Sequence, residues 1–363
     1  MFSRVSLTVL VLVLVGTFAS CSSSHQIAYV TTPFNAGVTA FRLNSHTGTL
    51  SQILGSPYQT GISPTSIVVH PSRRFAYVSN AGENTISLFK VSSDGALTEV
   101  LPRAITGMQP SSLIMDPAGA FLYAINSASN TIGVYSISGS SGALAEMSTS
   151  PFPTAGFTPV RGAITPSGKF LYIANSNSAS LTGYAIDSSG GLTAITNPPT
   201  LVGNGPNWVA IDPSGKFLYV ANTQDGTFSG FTIDSGTGAL IAMGGSPFAV
   251  STNNSTIIPL SSLVVDGSGK YLYLVSLGSG SNLFGFTIDG TTGIPNAAIS
   301  MPGVAAGNSA GFIVTDTTGK LIFVGNQTSN TLSGFTITPS SGVLTLVSTT
   351  TTGNAPTAMA VIK

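Results

Sequence analysis

The side chains of this 363-residue sequence that could bind a charged ligand are few and far apart. Arg161 is the most suggestive, because its guanidinium could hold a carboxylate or phosphate through two parallel hydrogen bonds. Trp208, the only tryptophan, could form the floor of a sugar-binding pocket, with Asn207 beside it. Arg103, in a predicted connection between repeats, is a further cation. Each also has a structural interpretation, since an arginine can brace a loop and a tryptophan can pack in a core.

Catalysis has weaker support in the sequence. Arg161, Asp225 and Glu83 are the candidate catalytic residues, but loop carboxylates are often only solvated. General acid–base chemistry usually needs a histidine, or a carboxylate with a raised pKa, beside the substrate. The three histidines precede the first strand or occupy predicted turns (His25, His46 and His70). Without Cys/His metal-ligand spacing or a phosphate-binding glycine-rich loop, the sequence predicts neither a metal nor a cofactor.

These candidates are positioned by a unit that recurs every 46 to 54 residues, a period typical of propellers and solenoids. The unit is clearest in "FLYVAN" (217–222), whose tyrosine position recurs as Tyr29, Tyr77, Tyr123, Tyr172, Tyr219, Tyr273 and Phe323. A short apolar run and a tight turn such as "DPSG" (212–215) precede this strand. A third strand and a fourth follow it, separated by further turn signals. Four short strands per unit without helical periodicity predict an antiparallel sheet.

Seven such sheets arranged radially make an all-β, seven-bladed β-propeller of four-stranded antiparallel blades. Residues 27–55 lack a first strand, and "PTAMAVI" (356–362) matches one, so the C-terminal strand should close the ring. Side chains of "FLYVAN" alternate between two apolar faces, as expected for a strand between two blades. Glycine recurs in the third strand and predicts close approach of an adjacent blade (Gly133, Gly183, Gly230, Gly285 and Gly334).

Alternating strand directions divide the loops between two faces. The Asp-turn face carries the tight turns between first and second strands, which begin at His70, Asp116, Thr165, Asp212, Asp266 and Asp316. The loop face carries the loops after the second strands and the connections between repeats. Loops positioned by a rigid scaffold commonly carry function, so we expect a ligand site on the loop face near the channel. The aspartates are predicted to form turns, not to bind metal.

The N-terminus predicts export. Residues 1–20 combine one early charge, Arg4, with an apolar run too short for a membrane span, as in a secretory signal. The signal ends at "FASC", which resembles a bacterial lipobox with Phe18 in place of the usual leucine and predicts lipidation of Cys21; the alternative is ordinary cleavage nearby. Residues 21–26 then form a short tether, and 27–363 form the propeller. We therefore expect a membrane-anchored lipoprotein on the extracytoplasmic side of a bacterial envelope.

Composition excludes other classes of protein. Lys plus Arg equals Asp plus Glu at 12 each, so no basic field for nucleic acid exists. Loss of Arg4 with the signal would leave a net charge of −1. Cys21 is the only cysteine, so the core and not disulfides must hold the fold. We expect a monomer.

The seven Tyr-Val-x-Asn-like strands, the Asp-Pro-Ser-Gly turns and the "SPF" or "SPY" tripeptides at 56, 150 and 246 resemble the lactonase-type seven-bladed propellers, or YVTN-repeat proteins. Bacterial 6-phosphogluconolactonase belongs to that family. The resemblance covers residues 27–363 and implies the propeller fold. Such lactonases are expected to use basic and acidic side chains at the channel mouth, but no motif here allows those residues to be carried over.

Three functional hypotheses remain open at this level. The first is a lipid-anchored envelope propeller that binds a small molecule, glycan or envelope protein through its outward loop face. The second is a lactonase-like hydrolase that opens a cyclic ester with help from Arg161 and a loop carboxylate. The third is a structural scaffold in the envelope. The sequence leaves open whether any catalytic step takes place.

Overall fold

The computed structural model describes residues 25–33, 37–195, 199–250, 257–278, 281–299 and 305–363. They form seven antiparallel sheets around a central channel, which confirms the predicted all-β propeller. In this part of the chain the one helical element is a single 3₁₀ turn, Ser176–Ser178, and no helix has the length and hydropathy to cross a membrane. Most of the predicted signal and tether, including Cys21, lies outside the described residues. The earliest strand in the chain begins at His25, two residues before the expected start at residue 27.

Blades are numbered by the order of their second strands. The first strand of each blade lines the channel. In order from blade 1 to blade 7, these strands are β33 (Ala358–Ile362), β5 (Pro64–Val69), β9 (Pro110–Met115), β14 (Pro159–Ile164), β19 (Pro206–Ile211), β24 (Leu260–Val265) and β29 (Ala310–Thr315). The second strands are β1 (His25–Thr32), β6 (Phe75–Asn80), β10 (Phe121–Asn126), β15 (Phe170–Asn175), β20 (Phe217–Asn222), β25 (Tyr271–Ser276) and β30 (Leu321–Asn326).

The outer half of each blade is formed by the third and fourth strands. The third strands are β2 (Gly37–Asn44), β7 (Thr85–Val91), β11 (Thr131–Ile137), β16 (Ser180–Ile186), β21 (Thr227–Ile233), β26 (Ser281–Ile288) and β31 (Thr331–Ile337). The fourth position is continuous in β8 (Leu97–Ile105) and β32 (Leu344–Thr351). It is interrupted elsewhere, as β3 (Leu50–Gln52) with β4 (Tyr58–Gln59), β12 (Leu144–Glu146) with β13 (Phe152–Pro153), β17 (Leu192–Ala194) with β18 (Thr200–Leu201), β22 (Leu240–Ala242) with β23 (Phe248–Ala249), and β27 (Pro295–Ala298) with β28 (Ala305–Gly307).

The C-terminus closes the ring as the sequence predicted. Strand β33 pairs with β1 from Ile27↔Ile362 to Thr31↔Ala358, and so supplies the missing first strand of blade 1. Blade 1 also contacts blade 7 on the Asp-turn face. There the Gln26 side-chain amide donates to a carboxylate oxygen of Asp316 at 2.8 Å and accepts from the Thr317 backbone at 3.2 Å. Ring closure therefore uses both ends of the described chain.

Each second strand is buried on both faces because it lies between two neighbouring blades. In blade 5, Phe217, Tyr219 and Ala221 pack in one cluster with residues of blade 6. Leu218 and Val220 pack in another cluster with residues of blade 4. The predicted alternation is confirmed, and it explains why the tyrosine hydroxyl is the one polar side-chain group in "FLYVAN" before its final asparagine.

The second-strand tyrosines connect the blades by hydrogen bonds. At six of the seven junctions the hydroxyl donates to a glycine carbonyl in the next blade, in the turn between its third and fourth strands, at 2.6–3.2 Å. The glycine is required at Gly293, for example, because its φ is +73° and an added Cβ would lie 2.4 Å from the Phe217 ring. Burial raises the pKa of Tyr219 well above its usual value, so the hydroxyl keeps its proton and remains a donor.

The junction between blades 7 and 1 is the exception, because Phe323 has no hydroxyl. The corresponding acceptor, the Gly48 carbonyl, accepts instead from the Ser348 hydroxyl of blade 7 at 2.8 Å. Serine therefore satisfies the buried carbonyl that tyrosine satisfies elsewhere. The substitution could not be predicted from the second strand alone.

The third-strand glycines make room mainly within their own blade, which corrects the expectation of a contact with an adjacent blade. A Cβ on Gly183 would lie 3.2 Å from the Tyr172 ring, and one on Gly230 would lie 2.8 Å from Met243. Both neighbours belong to the same blade as the glycine. Because the glycine has no Cβ, the aromatic ring of the second-strand tyrosine can lie across its own sheet and reach the next blade.

The Asp-turn residues form turns, as expected. In blade 5 one oxygen of Asp212 accepts from the Lys216 and Phe217 backbone at 2.8 and 2.7 Å, and the other accepts from Ser214. His70 takes the same position in blade 2, where its ring bonds to Ser72 at 2.7 Å and to the Gly119 carbonyl at 2.9 Å. Across the described ranges, no group of three or more His, Cys, Asp and Glu side chains could hold a metal ion.

The tyrosine bonds predict a measurable loss of stability on removal of one hydroxyl. Tyr219→Phe should lower the free energy of unfolding by about 1–2 kcal/mol, because the buried Gly293 carbonyl loses its donor. Urea unfolding followed by circular dichroism measures this change. Tyr58→Phe is the control, since its hydroxyl donates a long, exposed bond to the Leu54 carbonyl at 3.4 Å, and it should change stability by less than about 0.5 kcal/mol. Equal effects of the two substitutions would contradict the proposed role of the tyrosines.

Candidate functional site

One residue near the start of each first strand faces the loop-face mouth of the channel. In six blades this residue is the extra one at a shift in register between the first and second strands. A β-bulge redirects the side chain at the extra residue, and here it places it at the mouth. The equivalent residues of blades 1 to 7 are Thr357, Thr65, Ser111, Val160, Asn207, Ser261 and Gly311.

Most of these side chains donate a hydrogen bond to the backbone of the next blade and thereby form a ring around the mouth. The donor and acceptor pairs are Thr357 to Pro64 (3.0 Å), Thr65 to Pro110 (2.7 Å), Ser111 to Pro159 (3.3 Å), Asn207 to Ser261 (3.0 Å) and Ser261 to Ala310 (2.5 Å). The ring is interrupted at Val160 and Gly311, which have no polar side chain. At Gly311 the space is occupied, because an added Cβ would lie 2.5 Å from the Gln327 amide.

Arg161 lies at the other interruption, on β14 itself and directly after the bulged Val160. Trp208 takes the equivalent position on β19 of the next blade. The guanidinium carbon of Arg161 lies 4.8 Å from the centre of the Trp208 ring, a cation–π contact. The indole also packs against two core clusters. These contacts fix the position of the indole, and the indole in turn positions the arginine at the channel. The structure thus brings together three of the four predicted ligand-binding residues: Arg161, Trp208 and Asn207.

Among the residues that the structure describes, the Arg161 guanidinium has no anionic partner and makes no hydrogen bond. Its side chain is half-buried, with part of its surface exposed to the channel. This partial burial lowers the pKa of Arg161 to about 10, so the group is still a cation at neutral pH. An unpaired charge that is partly withdrawn from water is unfavourable unless a ligand compensates it.

The cavity at this site has a volume of about 280 Å³, at the small end of the range for ligand sites. It is lined by Arg161 and Trp208 and by the mouth residues Thr65, Ser111, Val160, Asn207, Gly311 and Thr357, with Gln327. None of these residues is an acid or a histidine. The geometry can therefore bind an anion or polarise a carbonyl oxygen, but the lining offers no group suited to proton transfer near neutral pH.

Arg103 and Glu83 lie away from this cavity and neutralise each other. Arg103 is within β8 and not in a connection, because that strand continues to Ile105. Its guanidinium bonds to Glu83 at 2.9 Å and to Glu99 at 2.8 Å. These bonds engage the arginine on both sides, and the geometry favours a structural role for the cluster.

Asp225 is also outside the cavity lining. Its carboxylate accepts from the Asn204 backbone at 2.6 Å and from the Asn204 side chain at 3.0 Å. These bonds hold the connection between blades 4 and 5 against the loop after β20. Neither candidate carboxylate is thus brought to Arg161 by the fold.

Sequence reasoning missed the polar mouth residues Thr65, Ser111 and Thr357, together with Gln327. A signal was present, since aligning the repeats places a small polar residue directly after proline in several units (Pro64, Pro110 and Pro356). The channel-facing orientation itself depends on the bulge, which leaves no obvious mark in the sequence.

A larger cavity, about 790 Å³, lies between blades 5 and 6 on the Asp-turn face. Its charged lining consists of the exposed Lys216 and Lys270 and of Asp212, whose oxygens are occupied by turn hydrogen bonds. Like the cavity at Arg161 it is open to solvent, but among its described lining residues it contains no unpaired charge that is partly buried. The smaller cavity at Arg161 is the stronger candidate site on chemical grounds.

Comparison with known proteins identifies the relatives of this fold. The profile of the family described as "Lactonase, 7-bladed beta-propeller" matches residues 17–160, 162–254 and 249–361. No curated protein sequence matches the chain significantly.

Several solved structures share the architecture. A candidate 6-phosphogluconolactonase from Bacteroides uniformis is 17% identical, with a TM-score of 0.80 over 93% of this chain and 99% of its own. A second, from Bacteroides fragilis, is 21% identical, with a TM-score of 0.79 over 95% and 99%. The periplasmic gluconolactonase of Pseudomonas aeruginosa is 18% identical, with a TM-score of 0.77 over 94% and 99%. At these identities the likeness concerns the fold, while the family profile matches nearly the whole propeller, so the chain belongs to the lactonase family of seven-bladed β-propellers.

Proposed function

We propose that the chain is a lactonase-like hydrolase that opens a cyclic ester at the loop-face mouth of the channel. The observation that carries the proposal is the half-buried guanidinium of Arg161 above Trp208, which has no ion-pair partner among the described residues. Membership of the lactonase family supports the reaction class. The names of the gluconolactonase-type structural relatives point to lactones of sugar acids as the first substrates to test.

In the proposed reaction, water adds to the lactone carbonyl and the carbonyl oxygen becomes an oxyanion. The ring C–O bond then breaks, and the alkoxide leaving group takes up, through solvent, the proton that the added water has lost, to give a hydroxy acid. Arg161 can donate two hydrogen bonds to the oxyanion and then to the product carboxylate, because both present negatively charged oxygens to the same fork. Trp208 positions the guanidinium, while Asn207 is held by its bond to Ser261.

A second candidate function, binding without turnover, is favoured by the lining of the cavity. Since no acid or histidine lines it, proton transfers would have to pass through water. In that case the site would hold an anionic small molecule, such as a sugar acid, and release it unchanged. The two functions share the same ligand contact and differ only in the chemical step.

A lactone panel distinguishes them. Residues 25–363 should hydrolyse one or more of glucono-δ-lactone, 6-phosphogluconolactone and γ-butyrolactone above the spontaneous rate, as measured by pH-stat titration. Arg161→Met should lower kcat/KM about 100-fold or more, because it removes the oxyanion donors. Lys169→Met is the matched control, since Lys169 is an exposed cation on the opposite face of the same blade, and it should retain activity. Carboxylate binding without turnover would favour the second function, and turnover independent of Arg161 would contradict this site.

The pKa of Arg161 predicts the pH dependence of anion binding. A folded-state pKa lowered to about 10 means that the cation is present below pH 10 and is lost as pH rises through that value. Gluconate affinity measured by isothermal titration calorimetry should be constant from pH 6 to 9 and should fall about tenfold per pH unit above 10. Circular dichroism at each pH verifies folding. A midpoint between pH 6 and 8 would indicate a different titrating group.

We further propose that the protein is exported and anchored through a lipid on Cys21. The N-terminal sequence and the periplasmic location in the name of one structural relative support this. Strand β1 begins at His25 on the Asp-turn face, next to Asp316 and the end of β33. The four residues from Cys21 to His25 can span at most about 14 Å. The anchor would therefore hold the Asp-turn face towards the membrane and leave the Arg161 site facing outward.

Single-cysteine labels test this orientation. Asn177→Cys and Lys169→Cys place fluorophores on the loop face and the Asp-turn face of blade 4, and both positions are exposed. In the membrane-bound protein an impermeant quencher should reach position 177 more readily than 169, whereas in the soluble form both should be quenched alike. Equal quenching on the membrane would contradict the proposed orientation, and failure to recover membrane-bound protein would contradict the anchor.

A further inference from the structure

The rim of the channel mouth is formed by one outward side chain per blade, three residues before each mouth residue. In blades 2 to 7 and then 1, these rim residues are Ile62, Met108, Phe157, Asn204, Ile258, Asn308 and Asn354. Blades 5, 7 and 1 carry asparagine, and the isoleucine of blade 6 is half-buried. Blades 2, 3 and 4 carry large apolar side chains that are 57%, 58% and 68% exposed. We call Ile62, Met108 and Phe157 the apolar crescent.

The backbone that presents the crescent is the same in all three blades. Each carbonyl accepts a hydrogen bond from the loop after the second strand of its own blade, at 3.0–3.3 Å. The next residue, Ser63, Gln109 or Thr158, has a φ of 53–56°. Asn204 in blade 5 has an equivalent carbonyl bond at 3.2 Å. Blades 2 to 5 thus share this rim geometry, and among them the side chain distinguishes the three apolar positions from the polar Asn204.

The crescent adjoins the cationic site. Blades 2, 3 and 4 are consecutive around the ring, and the crescent ends at Phe157, four residues before Arg161 in the same blade. The four residues from Phe157 to Arg161 span at most about 14 Å, so an elongated small molecule can touch both. Single exposed apolar residues are ordinary on a protein surface, whereas large apolar side chains at the same rim position of three consecutive blades, beside a polar cavity, are typical of a binding site.

We infer that the ligand of this site is amphiphilic: a carboxylate, or the corresponding lactone, that carries an alkyl or aryl substituent. Its anionic or ester end binds Arg161, and its apolar substituent lies on Met108 and Phe157. A bare polyol acid could bond to the polar mouth residues, but it would leave the exposed side chains of the crescent uncovered. The inference rests on the proposed function, since it assigns the substrate class to the same site.

A homologous series of probes tests the inference. Binding of linear carboxylates from butanoate to decanoate is measured by calorimetry and by fluorescence of Trp208, the only tryptophan. Affinity should rise about twofold per methylene, because burial on a half-open rim recovers part of the transfer free energy. The same trend is expected in kcat/KM for γ-lactones of increasing alkyl length.

Met108→Asn with Phe157→Asn installs the side chain that blades 5, 7 and 1 carry at this position. In this variant the affinity for decanoate should fall at least tenfold while that for butanoate stays within about twofold. Ile241→Asn is the control, since Ile241 is 64% exposed on the outer strand β22, and it should preserve the length dependence. Circular dichroism verifies that all three proteins fold.

The outcomes separate the inference from the function on which it rests. Arg161-dependent binding that is indifferent to chain length, or a length dependence that survives the rim substitutions, would overturn the amphiphilic ligand and leave the proposed site intact. Absence of Arg161-dependent binding for every carboxylate and lactone would overturn the proposed function and the inference together.

Discussion

The hydrogen bond from a second-strand tyrosine to a turn carbonyl of the next blade is the contact on which the rest of the structure depends. Packing alone would allow two apolar sheets to slide, because hydrophobic contacts have no direction. A buried hydroxyl that must reach one particular carbonyl sets the position of one blade on the next. At the closing junction Ser348 takes over this role for Phe323, and β33 joins β1.

Because the ring sets the distance between first strands, it also determines what can meet at the channel mouth. Bulges aim one side chain per blade at the mouth, and most of these side chains bond to the neighbouring blade. The two interruptions differ in their consequence. Gln327 fills the one at Gly311, whereas the one at Val160 leaves a guanidinium in contact with an indole and with space for a ligand. A charge without a partner at such a site lowers the stability of the fold and at the same time increases its capacity to bind an anion.

The charge and shape of the mouth bear on the choice between catalysis and binding. One cation without a neighbouring base suits a reaction whose main barrier is the charge on a carbonyl oxygen, as in the opening of an activated lactone. It suits equally the retention of a carboxylate. The apolar crescent adds a second recognition element, so the substituent of the ligand and not only its head group would select what binds. Catalysis and binding, the two proposed functions, would use the same few residues and differ only in the chemical step.

The sequence by itself determined the repeat, the four-stranded blades, the burial of "FLYVAN", the turn role of Asp212 and the closing strand. These features follow from local periodicity and turn chemistry, which recur in each unit and so reinforce one another. It also singled out Arg161, Trp208 and Asn207. Only the tertiary structure decided that Arg161 stacks on Trp208 with no anionic partner among the described residues, while Arg103 pairs with Glu83 and Glu99 and the Asp225 carboxylate accepts hydrogen bonds from Asn204. These pairings depend on bulges and on distances between blades, and a one-dimensional pattern contains neither.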